Sequence, residues 1–464
     1  MTTISEQEYD AIIIGAGQAG GPLASALAGA GKRVAIVERD HVGGTCVNEG
    51  CTPTKTMIAS GRVAYLARRG ADYGVQTGPI TIDQQKIRQR KRDIVDSFRD
   101  GSENQLVGTD GVTLLRGAAS FSGPKVVAVR LNEGGAVSIR AELIIINAGE
   151  RPAHPNLPGI DDVPYLDSTS IMELDRVPDH LIVLGGGYIG LEFGQLFRRL
   201  GSAVTIVKRG ARLLAREDAD VAAAVADILR EDGIEVLTET AATSVARDGD
   251  GVTLTVRDAT GERTIRGSHL LAAAGRTPNS DRLNLAAAGI AADKRGYITV
   301  DERLATNVPG IYAVGDIKGG PAFTHISYDD YRILRTNLTQ GGDATTTDRF
   351  VPYTVFTDPQ LGRVGLSEAA AKEQGRRVRI AKMPMSSVAR ALEVDESRGF
   401  MKVLIDGASD QIVGAAILGL EGGEIMSMLQ IAMMGRLPYT ALRDATFAHP
   451  TLAESLNNLF GSLE

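Results

Sequence analysis

Two stretches of sequence that repeat each other decide the fold: DAIIIGAGQAGGPLASALAGAGKRVAIVER, residues 10–39, and HLIVLGGGYIGLEFGQLFRRLGSAVTIVKR, residues 180–209. Each contains an apolar run, a glycine-rich turn, an amphipathic segment and a second run rich in β-branched residues, which predicts strand, helix and strand. The glycines of the two copies correspond at a constant offset of 170 residues: Gly15, Gly17 and Gly20 in the first, and Gly185, Gly187 and Gly190 in the second. The sequence therefore predicts two βαβ units, each opened by a G-x-G-x-x-G turn.

Turns of this spacing let backbone N–H groups at a helix N-terminus approach a pyrophosphate, so both copies predict a dinucleotide site. In each copy a polar residue, Glu38 or Lys208, lies 18 residues after the third glycine. Glu38 can accept hydrogen bonds from ribose hydroxyls, whereas the ammonium of Lys208 only donates. Because Arg209 and Arg212 follow Lys208, we expect a 2′-phosphate and hence NADPH at the second site; a solvated basic turn is the alternative.

Length and charge bound the class of protein. A chain of 464 residues allows two to four domains. Its 50 basic and 57 acidic side chains give a net charge of −7, which disfavours nucleic acid or an anionic membrane as the main partner. No apolar run reaches membrane-spanning length, and the start MTTISEQEYD lacks the features of a secretory signal. We therefore expect a cytoplasmic protein that acts on a small ligand.

The domain organisation follows from the positions of the repeats. NAGERP at 147–152 and AAGRTPN at 273–279 are interpreted as the crossings into and out of an inserted domain. The expected fold class is α/β, with two Rossmann-like dinucleotide domains and a C-terminal α+β domain that begins after the glycine motifs end. The expected boundaries are residues 1–150 with 275–345 for the first domain, 151–274 for the inserted domain and 346–464 for the C-terminal domain.

The only two cysteines of the chain, Cys46 and Cys51, lie in GGTCVNEGCTPTKT at residues 43–56. A disulfide closing so short a loop adds only about 2 kcal/mol of stability, so the pair is better explained by chemistry than by structural cross-linking. Pro53 suits the first turn of a helix. Cys51 is thereby expected at a helix N-terminus, where the partial positive charge favours a thiolate, and Cys46 is expected on the preceding loop, freer to meet a substrate.

Lys55 follows Cys51 by four residues, so a helix would place both on one face. The lysine could lower the pKa of a thiolate there; a solvated helix lysine is the alternative. A zinc site would need four ligands, and His41 is the single additional candidate nearby. We therefore expect no bound metal.

The chain resembles the class I pyridine nucleotide-disulfide oxidoreductases in three motifs that occur in the same order. These are the dinucleotide unit ending in Glu38, the segment Gly-Gly-Thr-Cys46-x4-Cys51-x-Pro-x-Lys55, and HPTLAE near the C-terminus. That family includes glutathione reductase, lipoamide dehydrogenase and mercuric reductase. GGPAFTHISYDDYRI at 319–333 and HPTLAESLNNLF at 449–460 further resemble the mercuric-reductase-like branch that includes the bacterial copper(II) reductase of reactive-chlorine resistance.

The resemblance implies two cofactors, FAD and NADPH, and a set of residues for each. Those implied for FAD are Gly15, Gly17, Gly20, Glu38, Gly44, Thr45, Lys55, Gly149, Asp316 and His325. Those implied for NADPH are Gly185, Gly187, Tyr188, Ile189, Gly190, Lys208, Arg209 and Gly275. Tyr188 would cover the nicotinamide pocket, and His325 has the alternative of an ordinary helix-start residue.

The resemblance also implies the catalytic residues, which are Cys46, Cys51, Lys55, Glu192, His449 and Glu454. Cys51 would face the flavin as the charge-transfer thiolate, Cys46 would be the interchange thiol, and Lys55 would pair with Glu192. In a homodimer, His449 of the partner subunit would act as acid and base at Cys46, and Glu454 would hold its tautomer. Apart from the resemblance, the support for this role of His449 is that an imidazole ordinarily has a pKa suited to proton transfer near neutral pH.

The expected activity is transfer of electrons from NADPH, through flavin and a Cys46–Cys51 disulfide, to a thiol-reactive acceptor. A metal ion such as mercury(II) or copper(II) is favoured, followed by a small disulfide. The resemblance to mercuric reductases implies mercury delivery through a C-terminal cysteine pair and an N-terminal metal-binding domain. We expect neither here, since the sequence ends in GSLE, and we therefore expect inefficient mercury delivery. Glutathione-reductase-like, lipoamide-dehydrogenase-like and NADPH oxidase or quinone reductase activities remain alternatives, as does a non-enzymatic redox sensor.

The helix carrying Lys86, Arg88, Arg90, Lys91 and Arg92 is a further basic segment. We expect a solvated helix face, and attraction of an anionic substrate is the alternative.

Overall fold

The structure is a computed structural model that describes residues 6–463. Residues 1–5 and 464 lie outside the described residues. The expectations about a secretory signal and about the C-terminal end fall partly on these residues. The strands of the described chain are β1 (Glu6–Glu8), β2 (Ala11–Ile14), β3 (Val34–Glu38), β4 (Val112–Gly123), β5 (Val126–Leu131), β6 (Ala136–Arg140), β7 (Leu143–Ile146), β8 (Glu150–Pro152), β9 (Tyr165–Leu166), β10 (His180–Leu184), β11 (Ala203–Val207), β12 (Glu235–Leu237), β13 (Ala241–Asp248), β14 (Gly251–Asp258), β15 (Gly261–Gly267), β16 (His269–Ala272), β17 (Arg276–Pro278), β18 (Ile311–Ala313), β19 (Tyr353–Val355), β20 (Gln360–Gly365), β21 (Val378–Pro384), β22 (Phe400–Asp406) and β23 (Ile412–Gly419).

The α-helices of the same residues are α1 (Gly20–Gly29), α2 (Gly44–Asn48), α3 (Cys51–Arg68), α4 (Gln84–Val107), α5 (Tyr188–Leu200), α6 (Ala219–Glu231), α7 (Thr324–Thr339), α8 (Glu368–Glu373), α9 (Ala389–Glu393), α10 (Gly422–Met434), α11 (Tyr439–Arg443) and α12 (Ser455–Gly461). No helix in residues 6–463 is long and apolar enough to cross a membrane.

Both repeats fold as the sequence predicts. In the first, β2 and β3 pair in parallel from Ala11–Val34 to Ile14–Val37, with α1 connecting them. In the second, β10 and β11 pair in parallel from His180–Ala203 to Leu184–Val207, with α5 between them. Parallel strands need such a crossover helix, so the strand–helix–strand pattern leaves little choice of topology. The predicted α/β fold class is confirmed.

The described chain divides into two compact units. Unit 1 comprises the described residues up to Thr56, Lys86–Ala153 and Gly275–Arg349, and unit 2 comprises Met57–Gln85, His154–Ala274 and Phe350–Glu464, of which residues up to 463 are described. The expected division into three domains stays a prediction.

Unit 1 is built on an eight-stranded sheet of order β1-β6-β5-β4-β3-β2-β7-β18. All four residues of β2 are buried, as are most of β3 and β7, because these strands are covered on both faces. Ile12, Ile144 and Ile146 belong to the core on one face, and Ile13 and Ile145 to the core on the other. β8 and β17 form a separate antiparallel pair, so the chain leaves and re-enters unit 1 through two adjacent strands.

Unit 2 contains three sheets. The parallel sheet β12-β11-β10-β16-β9 holds the second repeat, and the antiparallel hairpins β13-β14-β15 pack beside it. The antiparallel sheet β19-β20-β23-β22-β21 forms the C-terminal α+β layer, whose core includes helices α10 and α12. This layer is the C-terminal α+β part of the predicted fold class.

One local expectation is wrong, and a second is met only in part. Cys46 does not lie on a loop: it is half-buried in the short helix α2, because the tight turn at Gly43 starts a helical turn immediately after the first repeat. Cys51, on which the next helix begins, is the exposed cysteine of the pair. The basic segment is not a wholly solvated face either, since Lys91 is buried, with 4% of its surface exposed, while Arg90 donates to the Thr56 carbonyl at 2.9 Å.

Candidate active site

The two cysteines of unit 1 are brought together by the end of one helix and the start of the next. Cys46 lies in α2 and Cys51 is the first residue of α3, with the turn at Gly50 between them. The pKa of the Cys46 thiol is raised, first because this thiol hydrogen-bonds to Cys51 and second because it is buried. Cys46 therefore keeps its proton when Cys51 carries negative charge at the helix N-terminus.

Two neighbours act in the opposite direction on Cys46. The Thr324 hydroxyl and the positive charge of Lys55 each lower the pKa of the Cys46 thiol. Lys55 lies one turn after Cys51 on α3, as its spacing predicts.

Thr324 is a site residue that the sequence analysis does not identify. Its Oγ1 lies 3.4 Å from Cys51 Sγ, and it also hydrogen-bonds to Cys46, so one hydroxyl touches both sulfurs. The residue begins α7, 273 positions from Cys51 along the chain. The only sequence signal is its place beside His325 in the FTHISYDD stretch, because nothing in its spacing from the cysteines links them.

The glycine turn of the first repeat fits a dinucleotide. A Cβ on Gly44 would lie 2.8 Å from the Gly17 Cα, so these two backbones approach each other in a way that only glycine allows. Gly15 has φ +103°, and a Cβ there would lie 2.3 Å from the Asn147 carbonyl oxygen. A Cβ on Gly20 would collide with the Gly15 carbonyl oxygen. The cradle formed by these backbones at the start of α1 suits the pyrophosphate of FAD.

Glu38 ends β3, where the repeat predicts a ribose-binding acid. Its Oε2 accepts from the Ala16 N–H at 2.8 Å and its Oε1 from the Asp40 N–H at 2.9 Å. Burial raises the pKa of this carboxyl, and the two backbone donors oppose that effect. Each oxygen retains capacity for a second hydrogen bond, so the carboxylate can still accept from hydroxyls.

The other residues predicted for FAD lie in the same unit. Asp316 follows β18, and burial, reinforced by the charge of Glu150, raises its pKa to about 6. His325 is the second residue of α7, and its ring stacks on Phe323 with centroids 5.4 Å apart. The remaining members are Thr45 in α2 and Gly149 immediately before β8. Their placement in one unit is compatible with a single FAD site, and their individual roles stay predictions.

The glycine turn of the second repeat has the same construction. A Cβ on Gly185 would lie 2.3 Å from the Ala273 carbonyl oxygen, and a Cβ on Gly190 would lie 2.6 Å from the Gly185 carbonyl oxygen. A Cβ on Gly187 would meet open space at the start of α5, where a phosphate could approach the helix N-terminus.

Lys208 follows β11 and lies against this turn. Its Cδ comes within 3.1 Å of a Cβ built on Gly186, so the aliphatic stem covers the turn and the ammonium extends beyond it. Arg209 is exposed next to it, and Tyr188, the first residue of α5, is 36% exposed. Ile189 follows in the same turn. Gly275, a residue that the family resemblance implies for NADPH, lies in unit 1, where its carbonyl accepts from the Ala153 N–H.

Glu192 and the His449–Glu454 pair lie in unit 2. Glu192 is buried on α5, and its Oε1 accepts from the Phe356 N–H at 2.9 Å. His449 Nδ1 lies 2.9 Å from Glu454 Oε2, as the predicted orienting pair requires, and the imidazole side chain is 70% exposed. Pairing of Lys55 with Glu192 and contribution of His449 by the partner subunit stay predictions. Among residues 6–463, no group of three or more His, Cys, Asp or Glu side chains could hold a metal ion.

Known protein families match nearly the whole chain. Residues 9–330 match the family described as pyridine nucleotide-disulphide oxidoreductase, and residues 351–460 match its dimerisation domain. Among curated proteins, the chain is 37% identical over 457 residues to "Probable pyridine nucleotide-disulfide oxidoreductase RclA" of Escherichia coli K12, covering 98% of this chain and 99% of that protein. It is 34% identical over 449 residues to a mercuric reductase of Streptomyces lividans, covering 97% and 94% of the two chains.

Solved structures give the same result. The Cu(II) complex of the HOCl-induced flavoprotein disulfide reductase RclA from Escherichia coli superposes with a TM-score of 0.90 at 36% identity, over 99% of this chain and all of that one. LpdA from Mycobacterium tuberculosis gives a TM-score of 0.88 at 27% identity, over 99% and 100%. The chain therefore belongs to the pyridine nucleotide-disulfide oxidoreductase family and is a flavoprotein oxidoreductase of the type that uses FAD and a nicotinamide nucleotide.

Proposed function

We propose that this protein is an NADPH-dependent reductase that delivers electrons through a Cys46–Cys51 dithiol to a thiophilic metal ion, with copper(II) as the first candidate and mercury(II) as the second. The observation that carries the proposal is the hydrogen-bonded thiol pair at the start of α3. Two thiols in contact can form a disulfide, and reduction of that disulfide takes up two electrons.

The two sulfurs have different roles in this proposal. Cys51, at the N-terminus of α3, holds the negative charge of the reduced pair, and Cys46 holds the proton. Cys46 must lose that proton before it can attack a disulfide or bind a metal, since the thiolate is the reactive species. His449 is the proposed base, because Glu454 binds its Nδ1 and leaves Nε2 to exchange the proton.

The nucleotide sites have separate tasks. FAD, when bound in the first cradle, supplies a two-electron relay between nicotinamide and disulfide. Lys208 and Arg209 would bind the 2′-phosphate that distinguishes NADPH from NADH, and no acid ends β11 to receive a free ribose hydroxyl.

The choice of a metal acceptor rests on the relatives and on sulfur chemistry. A curated relative is named a mercuric reductase, and a solved relative is a Cu(II) complex. Paired thiolates are soft ligands that suit both ions. The balance is one NADPH and two Cu(II) giving NADP⁺, H⁺ and two Cu(I), or one NADPH and one Hg(II) giving NADP⁺, H⁺ and Hg(0).

The test is NADPH oxidation measured anaerobically with Cu(II), Hg(II), glutathione disulfide, lipoamide, a quinone and, separately, oxygen. We expect the largest specificity constant with one of the two metal ions, and Cys46→Ser should abolish turnover. His154→Ala is the matched control for adventitious copper binding, since that imidazole is exposed beside Asp161, and it should retain activity. Turnover of Cys46→Ser at the wild-type rate, or a larger specificity constant for a quinone or oxygen, would contradict the proposal.

A further inference from the structure

Helix α5 carries three buried polar side chains on one face. Glu192, Gln195 and Arg199 are separated by three and four residues, so they lie along a single stripe of the helix. Their exposed fractions are 3%, 3% and 6%. Burying a polar group lowers the stability of the folded state unless the group is hydrogen-bonded. The hydrogen-bond partners of these three side chains therefore indicate their role.

All three residues bind one short segment that follows β19. Glu192 Oε1 accepts from the Phe356 N–H at 2.9 Å. Gln195 Oε1 accepts from the Asp358 N–H at 2.7 Å, and its Nε2 donates to the Asp358 carbonyl at 2.9 Å. Arg199 donates to the same carbonyl at 3.0 Å and forms an ion pair with the Asp358 carboxylate.

Gln195 has the least replaceable position in this arrangement. The Asp358 carbonyl also accepts hydrogen bonds from the guanidinium groups of Arg199 and Arg398, at 3.0 and 3.3 Å. The Asp358 N–H, in contrast, donates to Gln195. A further hydrogen bond restrains the Gln195 side-chain amide, because its Nε2 also donates to the Asp232 carboxylate at 2.7 Å. The glutamine therefore fixes the segment against α5 by a two-point contact with its backbone.

We propose that Gln195 is a positioning residue for Glu192. By holding Asp358, it keeps the Phe356 N–H directed at Glu192 Oε1 and so fixes the orientation of the carboxylate for its predicted pairing with Lys55. The inference rests on the proposed function and on the predicted pair of Lys55 with Glu192, to which it gives the task of assisting the reduction of FAD by NADPH. It assigns to Gln195 an effect on the rate of reduction rather than on nucleotide affinity.

The main variant is Gln195→Met in the FAD-loaded protein, mixed anaerobically with saturating NADPH. We expect the rate constant for flavin reduction to fall about tenfold, in line with the cost of a small misplacement, with the NADPH dissociation constant within twofold of wild type. Gln195→Glu keeps an oxygen for the Asp358 N–H and loses the donor, so a smaller decrease is expected. It serves as the second variant if Gln195→Met does not fold.

The control is Glu396→Gln, in the same buried network. Glu396 accepts from Arg398 at 2.8 and 2.6 Å, so these bonds are to a side chain and not to the backbone of the segment that Gln195 holds. This variant is expected to lose thermal stability yet reduce its flavin within twofold of the wild-type rate. A rate for Gln195→Met that is also within twofold of wild type would overturn the inference.

Two further measurements separate positioning from general damage. In a double-mutant cycle, Glu192→Gln with Gln195→Met should be no slower than Glu192→Gln alone, because Gln195 acts through Glu192; additive losses would overturn the inference. Amide hydrogen exchange in the peptide 353–359 should be faster in Gln195→Met than in Glu396→Gln, and equal exchange would also overturn it.

The outcomes that would overturn the proposed function differ from those that would overturn the role of Gln195. If NADPH does not reduce the wild-type flavin, the proposed function is wrong, while hydrogen exchange still decides whether Gln195 holds the segment. If Glu192→Gln is reduced as fast as wild type, the role that Gln195 would support is absent and the inference is overturned.

Discussion

Replacing Asp316 by asparagine should make the FAD-free protein more stable at neutral pH. Asp316 is buried after β18, and its pKa is raised to about 6 from an ordinary value of 3.8, chiefly by burial and then by the charge of Glu150. The charges of Arg276 and Lys318 oppose this rise without cancelling it. Since the folded state binds this proton more tightly than the unfolded state, the stability it contributes is present below pH 4 and is lost as the pH rises through 6.

The magnitude follows from the shift. About two pKa units at 1.36 kcal/mol each give a cost of about 3 kcal/mol once the carboxylate is ionised. Asp316→Asn removes that cost, so its free energy of unfolding should exceed that of wild type by up to about 3 kcal/mol at pH 7.5 and about 1.5 kcal/mol at pH 5. The same variant should bind FAD about tenfold more weakly, because a charged acceptor for ligand hydroxyls is lost.

The assay is urea unfolding of FAD-free protein at both pH values, followed by titration with FAD. Glu133→Gln, at an exposed position of the same unit, is the control and should leave the urea midpoint unchanged. An Asp316→Asn protein no more stable than wild type at pH 7.5, or equally stabilised at both pH values, would refute the reasoning.

Three further substitutions test other parts of the site. Lys208→Glu should reverse the preference between NADPH and NADH, measured as the ratio of specificity constants, because an acid accepts ribose hydroxyls and repels a 2′-phosphate; an unchanged ratio would contradict this. Thr324→Val should shift alkylation of Cys46 in the reduced enzyme to higher pH, since a hydroxyl that lowers the pKa of this thiol is removed. Thr324→Ser should restore the wild-type profile. His449→Gln should slow turnover at least tenfold while flavin reduction by NADPH stays within twofold of wild type, and equal losses in both would refute its role as the base.

The fold was predictable because its decisive signals are local. The strand–glycine–helix–strand pattern fixes β2-α1-β3 and β10-α5-β11, and a parallel pair with a crossover helix has few alternatives. The placement of Cys51 at a helix N-terminus followed from Pro53, because proline is tolerated in the first helical turn.

The features that could not be predicted depend on contacts between distant parts of the chain. Thr324 reaches the cysteines from 273 residues away, and Gln195 meets Asp358 across 163 residues. Burial of Lys91 likewise depends on packing, which a run of charges does not reveal. Helix propensity and spacing report on neighbours within a turn or two, so they carry no information about such partners.

Thiol counting tests the central claim most directly, because the chain has two cysteines and no others. The isolated oxidised enzyme, denatured anaerobically, should show no free thiol, and after one equivalent of NADPH it should show two. Two free thiols before NADPH is added, or none after the flavin has been reduced, would contradict electron transfer through the Cys46–Cys51 pair.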